Sequence, residues 1–276
     1  MTTETQAHHG VALSDVAAMT AAIAEIGFTE VEAGVTEPRR YRNVAGDAVG
    51  QMVAPILGDE ITTWFVGNPA TGQQLDLVEL TAQATLMAAP GEAPAQGDLT
   101  IGIPAADPEA TYATLRAAAP KLTCSDPTPC PSEDGVAFTL DAQRYILSRK
   151  PEPFAYVHYS TRDFPTSRRF YEEVLGYRLV ALAAHEPAEE RFAIEGAGGR
   201  IEAVVRADTP VAAEGTGKRY IGSNHFRLLN ADLAAVAERV ESSGLGWWFF
   251  APTEEGFSQI MGPTAEFIEL YDNSAG

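Results

Sequence analysis

The feature that most constrains the fold is a pattern that runs four times through the chain, because repeats dictate architecture before any single element does. An alternating apolar run ends at an aspartate, apolar positions at helical spacing follow, and a glycine stops them. The pattern runs from His8 through Asp15 to Gly27 and from His225 through Asp232 to Gly244, with twelve residues from aspartate to glycine in both. It recurs from Phe154 through Asp163 to Gly176. A fainter copy runs from Thr100 through Asp107 into a stretch marked by Tyr112, Leu115 and Ala118. Period-2 alternation reads as a strand and the spacing after the aspartate as a helix, so each copy opens strand, turn, helix.

Each copy is followed by strand-like runs. These include residues 60–66 and 74–80 in the first, 136–140 and 144–147 in the second, 191–194 and 200–205 in the third, and 247–250 and 266–271 in the fourth. Segments rich in Pro, Gly, Ala or charge separate the copies at 89–97, 148–153 and 207–217, where linkers belong. The fold class is therefore α+β, with four βαβββ modules. One such module leaves a face of its small sheet uncovered and must pair with another. Pairing neighbours gives an N-terminal domain over 1–149 and a C-terminal domain over 150–276. The swapped alternative joins the first module to the fourth and the second to the third.

The third copy has an apolar strand, an aspartate at the turn, Phe170-Tyr171 in the helix and then Leu175-Gly176-Tyr177. In this order it resembles the opening of the module of the vicinal oxygen chelate superfamily, which includes glyoxalases, fosfomycin and bleomycin resistance proteins, and extradiol dioxygenases. The resemblance implies two cupped-sheet domains and a divalent ion held in a cup by residues of the first and last strands of a module. The first-strand position, seven residues before the turn aspartate, is His8, Thr100, Tyr156 and His225 in the four copies. The last-strand position is Asp76 (or, in another register, Glu79), Ile146, Glu202 and Glu269.

Under neighbour pairing the resemblance places the ion in the second domain, on His158, His225 and Glu269, because Thr100 and Ile146 cannot hold a metal and leave 1–149 metal-free. His158 enters because it shares a strand face with Tyr156. A His, His and carboxylate set suits one divalent ion: Fe, Zn, Mn or Ni. Glu202 and Glu269 would divide ligation and proton transfer as catalytic carboxylates. Tyr156, Arg227, Trp247 and Phe249 would shape the substrate pocket, the arginine by binding a carboxylate or phenolate. His8 lies in a terminal stretch and stands outside this set. Under the swap, however, His8, Asp76, His225 and Glu269 converge as four ligands of the glyoxalase type.

A net charge of -19 disfavours nucleic acid and anionic membrane surfaces, which would repel it. A small molecule is the expected partner of a monomer or homodimer. No run of eighteen apolar residues occurs, and the first twenty residues are interrupted by His8, His9 and Asp15, so a cytoplasmic protein is expected. Cys124 and Cys130 are too far apart for a CxxC pair and read as two unpaired thiols, since cytosolic disulfides are uncommon, with a small disulfide loop as the alternative. The leading expectation is a metal-dependent isomerase or lyase of the glyoxalase type acting on a small oxygenated molecule, aromatic or not. The alternatives are extradiol-type ring cleavage and a metal-free binding or resistance protein. Neither His nor Tyr occurs between His225 and Glu269, which speaks against ring cleavage.

Overall fold

A computed structural model describes residues 8–30, 38–47, 60–80, 85–86, 94–141, 143–211, 220–229, 231–250, 256–264 and 266–272. The first module comprises β1 (His8–Leu13), α1 (Val16–Ala24), β2 (Thr29–Glu30), β3 (Arg39–Arg42), β4 (Glu60–Asn68) and β5 (Gln73–Leu80), followed by the short β6 (Thr85–Leu86). The second comprises β7 (Leu99–Pro104), α2 (Pro108–Ala118), β8 (Thr128–Cys130), β9 (Gly135–Leu140) and β10 (Gln143–Ser148). The third comprises β11 (Phe154–Ser160), α3 (Phe164–Arg169) continued by a π-helical turn over Phe170–Leu175, β12 (Arg178–Leu182), β13 (Glu189–Glu195) and β14 (Arg200–Arg206). The fourth comprises β15 (Tyr220–Leu228), α4 (Leu233–Ser243), β16 (Trp247–Phe250), β17 (Phe257–Met261) and β18 (Phe267–Tyr271).

The recurring aspartate has a local cause. Asp15, Asp107 and Asp232 are N-caps in extended backbone, each accepting a bond from the amide three residues on, at 2.8, 3.0 and 3.0 Å. Such caps satisfy a helix-end donor that would otherwise lack a partner. Asp163 differs: its backbone is helical and its side chain makes no cap bond. The closing glycines Gly176 and Gly244 take left-handed φ of 83° and 65°, which a side chain resists.

In every module the first strand lies parallel to the last, as β1 with β5, β7 with β10, β11 with β14 and β15 with β18. Two larger sheets result, ordered β16-β17-β18-β15-β1-β5-β4-β2 and β12-β13-β14-β11-β7-β10-β9-β8. The central seams are antiparallel, β1 against β15 and β7 against β11. Module one therefore pairs with module four, and module two with module three. This corrects the neighbour pairing behind the 1–149 and 150–276 division. The short stretch from Arg149 to Pro153 carries the chain from β10 directly to β11, on the far side of β7, so module two spends its free edge on module three. Module one is left to close with module four, reached through the longer connection after β14.

Helix α1 packs on β4 and β5 and against α2, which packs on β9 and β10; α4 packs against the π-helical turn. One continuous apolar core lies under these helices and includes Val11, Leu75, Ile101, Leu147, Phe170 and Ile268, drawn from all four modules. Burial of this kind is the main favourable term in folding. The opposite faces of the sheets form the two cups. No helix among the described residues is long and apolar enough to cross a membrane. Cys124 and Cys130 are free thiols.

Candidate metal centre

The ladder register of the first sheet determines which side chains meet. Gly10 pairs with Asp76 of β5 on one side and with His225 of β15 on the other, while Arg227 pairs with Glu269 of β18. His8, two residues before Gly10, shares its face. His8, Asp76, His225 and Glu269 thus enter one cup from the two central strands and the two strands flanking them. All four are buried, at 2, 6, 3 and 6% exposure. A side chain at position 10 would run into the His225 ring, so glycine there makes the room the imidazole occupies.

The donor atoms converge. Nε2 of His8 lies 3.2 Å from Nε2 of His225, and these atoms stand 3.5 and 3.3 Å from the Glu269 carboxylate. His225 Nε2 is 3.9 Å from Asp76 Oδ2, and one donor atom each from His8, Asp76 and His225 lies within 4.8 Å of the others. Gln259 donates to Glu269 at 3.2 Å and Arg227 at 3.3 Å, with the Arg227 guanidinium resting on the Tyr271 ring. Phe65 and Phe267 flank His8 and His225 with ring centroids at 6.4 and 5.6 Å.

Burial pushes both imidazoles below their ordinary range, well below it for His8, and keeps them neutral. Burial, reinforced by the neighbouring Glu269 charge, drives Asp76 well above the usual carboxylate range. Burial opposes ionisation of Glu269 too, but His225, His8, Arg227 and the bond from Gln259 outweigh it and hold that group at about 2. Asp76 Oδ1 and the Nδ1 atoms of His8 and His225 have no hydrogen-bond partner among the described residues. Buried polar atoms without partners are costly. The two neutral imidazoles and the Asp76 carboxyl form a three-residue donor group of the kind that holds Zn, Fe, Ni or Mn, with the Glu269 carboxylate beside both imidazoles. The cluster fits a divalent ion.

Of the residues expected to form the site, His225, Glu269 and Arg227 are here. His8 and Asp76 complete it, as the swapped arrangement implied. Glu79, the other register for the last-strand position, points to the opposite face, where it accepts a bond from the Val16 amide at the start of α1 at 3.0 Å. His158, Tyr156 and Glu202 lie in the other cup and are not brought to His225 and Glu269. His158 bonds Thr100 at 2.8 Å. Glu202 is clamped by Arg191 and by Arg200, the latter at 2.7 Å, and does not stand beside Glu269. Tyr156 donates to the buried Glu133, which Arg200 also holds at 2.9 Å through each oxygen. Trp247 and Phe249 sit on β16, but their side chains lie outside the described residues.

Register also corrects one correspondence between the cups. Gly102 is to β7 what Gly10 is to β1, and the residue whose ring fills the space above it is Phe154. Phe154, not Tyr156, therefore occupies the place of His225. The second cup presents Thr100, Ile146, Phe154 and Glu202 where the first presents His8, Asp76, His225 and Glu269. It retains one carboxylate of the four donors, and two arginines neutralise that.

These ladders form the two-sheet fold seen in solved glyoxalase I, with four modules in one chain. Within that fold the chain superposes on glyoxalase I from Zea mays with a TM-score of 0.59 at 15% identity, over 97% of this chain and 92% of that one. It also superposes on a putative dioxygenase from Bacillus subtilis with a TM-score of 0.54 at 13% identity, over 96% and 83% of the two chains. No family model matches the sequence, and no curated protein does. At these identities the likeness establishes the fold, and the chemistry must be argued from the side chains.

Proposed function

We propose that the chain is a metal-dependent isomerase or lyase of the glyoxalase type, moving a proton on carbon next to an oxygen of a small oxygenated substrate. The observation that carries this reading is the buried group of His8, Asp76 and His225, with Glu269 beside both imidazoles and an unpartnered Asp76 oxygen among the described residues. A divalent ion held there supplies Lewis acidity to a substrate oxygen and makes the adjacent C–H more acidic.

The chain's own groups divide the remaining work. His8 and His225, kept neutral by burial, offer Nε2 lone pairs. Glu269, fixed by Gln259 and Arg227, stays ionised and contributes negative charge. Asp76, whose Oδ1 has no hydrogen-bond partner among the described residues, is the carboxylate placed to accept a proton. Phe65 and Phe267 make the walls apolar and help exclude water. Ring-cleaving oxygen chemistry is the lesser reading, because neither His nor Tyr occurs between His225 and Glu269 to serve as its acid or base.

The test is proton NMR of α-hydroxycarbonyl compounds incubated in deuterated water with metal-loaded protein. Loss of a carbon-bound proton signal in the native protein, absent with Asp76→Asn, supports the proposal. Undiminished exchange in that variant would reject it.

A further inference from the structure

The second cup, which retains one of the four donors, is not filled in. It holds a cavity of about 250 Å³, just below the range of roughly 300–1,000 Å³ usual for drug-sized ligands, so it suits a smaller molecule. Its inner wall is apolar, made by Ile146, Val204 and the Tyr156 ring, which belong to a separate cluster with Phe154 and Ala137. Three arginines face it: Arg144, Arg191 and Arg206.

Two of these arginines are spoken for. Arg206 bonds Glu186 at 2.5 Å and Asp208 at 2.9 Å. Arg191 is paired with Glu202 and approaches Glu189 at 3.8 Å, although its Nε has no hydrogen-bond partner. Arg144 has neither an ion pair nor a side-chain hydrogen bond among the described residues. Burial lowers its pKa, against the opposing pull of Cys130 and Glu186. A half-buried, unpaired guanidinium is expensive. Beside it His158 is held neutral, at about 3, by burial and then by the charge of Arg144, and its Nε2 is bonded to Thr100. Arg144 reaches this wall by register: it pairs with Thr100 on β7 and lies two residues before Ile146 on the same face of β10.

We propose that the second cup is a metal-free binding site for a small monocarboxylate with an apolar body, its carboxylate paired with Arg144 and its body against Ile146, Val204 and Tyr156. A guanidinium matches the planar two-oxygen geometry of a carboxylate. Glu186, Glu189 and Asp208 around the cavity repel a second negative charge, so a carboxylate is preferred to a phosphate dianion. The site is independent of the metal cluster, which lies in the other sheet.

Benzoate is a suitable probe, with benzamide as its neutral counterpart and inorganic phosphate as the dianion, titrated calorimetrically into the full chain in excess chelator. Benzoate binds saturably, and benzamide and phosphate bind at least about tenfold more weakly, the loss expected for one charge-assisted pair. Arg144→Gln weakens benzoate by a similar factor without lowering the stability of the unliganded protein, because it removes a charge that no ion pair or side-chain hydrogen bond holds among the described residues. Location is read in the native chain, where benzoate moves the imidazole resonances of His158 and leaves those of His8 and His225 in place. The proposal is overturned if benzoate fails to bind the native chain, if phosphate binds as tightly, or if the His8 and His225 signals move instead of that of His158.

Discussion

His8 and His225 stand 217 positions apart in the chain and bring their Nε2 atoms to 3.2 Å in a buried cup. That contact exists only because the first and fourth modules share a sheet. It makes the candidate metal centre the joint property of the first and fourth modules, so disturbing either module should empty it. His8→Ala and His225→Ala are each expected to reduce metal content from about one equivalent to a small fraction and to abolish turnover, while circular dichroism shows the fold retained. Full activity in either variant, or in chelator-treated protein, rejects the role assigned to the pair.

Metal binding should also stabilise the fold, because an ion bound only by the native state adds RT ln(1 + [L]/Kd), about 2.7 kcal/mol at a hundredfold excess over Kd. Stripping the ion is expected to lower the thermal midpoint of the native chain and to leave that of Glu269→Gln unchanged. A calorimetric scan of both proteins with and without chelator checks this.

Gly10 and Gly102 form an internal control. An added methyl at either position meets a ring, that of His225 in one sheet and that of Phe154 in the other. Overpacking of this kind costs about 1–3 kcal/mol. Both Gly10→Ala and Gly102→Ala should therefore lose comparable stability in urea unfolding, yet only Gly10→Ala should lose metal. Equal metal loss in both would mean that the His225 ring position does not govern the site.

Stability should decline in acid in two overlapping stages. His158 and His9 are held at about 3 by burial, against 6.5 for a free imidazole. Their folded pKa is depressed, so the unfolded chain takes up protons first; the stability present above pH 6.5 is lost as the pH falls towards 3. The slope is about 1.4 kcal/mol per pH unit for each imidazole. Glu133 is pushed up by burial, but Arg200, Tyr156 and Lys150 pull it down to about 2, against 4.5 when free, so its contribution disappears between those two values. Urea unfolding across pH 3 to 7 measures the first stage, and His158→Gln should reduce its slope by one imidazole's share.

Glu133 anchors the buried charges behind the second cup. It accepts bonds from Arg200, Lys150 and Tyr156 with no exposed surface of its own. Glu133→Gln should cost about 3–5 kcal/mol, the loss typical of a buried pair with one charge removed, and should not change metal content. Unfolding free energy and elemental analysis of the same sample decide both halves.

Much of this was legible in the sequence, and the failures have physical causes. The strand, aspartate, helix and glycine order is local chemistry, so three caps and the glycine stops could be read directly. His225 and Glu269 could be singled out because ionisable groups inside apolar runs need partners. Which modules pair could not be read, because it depends on connection lengths and free edges; His8 and Asp76 were therefore visible as ligands only under the swapped arrangement. Tyr156 was placed two residues out of step because counting back from Asp163 assumes a turn like the other three, whereas Asp163 adopts helical backbone and makes no cap. Glu133, Arg144 and Arg191 carried no local signal at all. Their importance comes from what tertiary packing places beside them.

The most direct test of the shared centre is a crystal of protein loaded with one first-row metal, with anomalous scattering collected at that metal's absorption edge. The account predicts one strong peak in the first cup, within ligand distance of His8 Nε2, His225 Nε2 and the carboxylates of Asp76 and Glu269. A peak beside His158 and Glu202 instead, or loaded protein with no peak among the four, would contradict it.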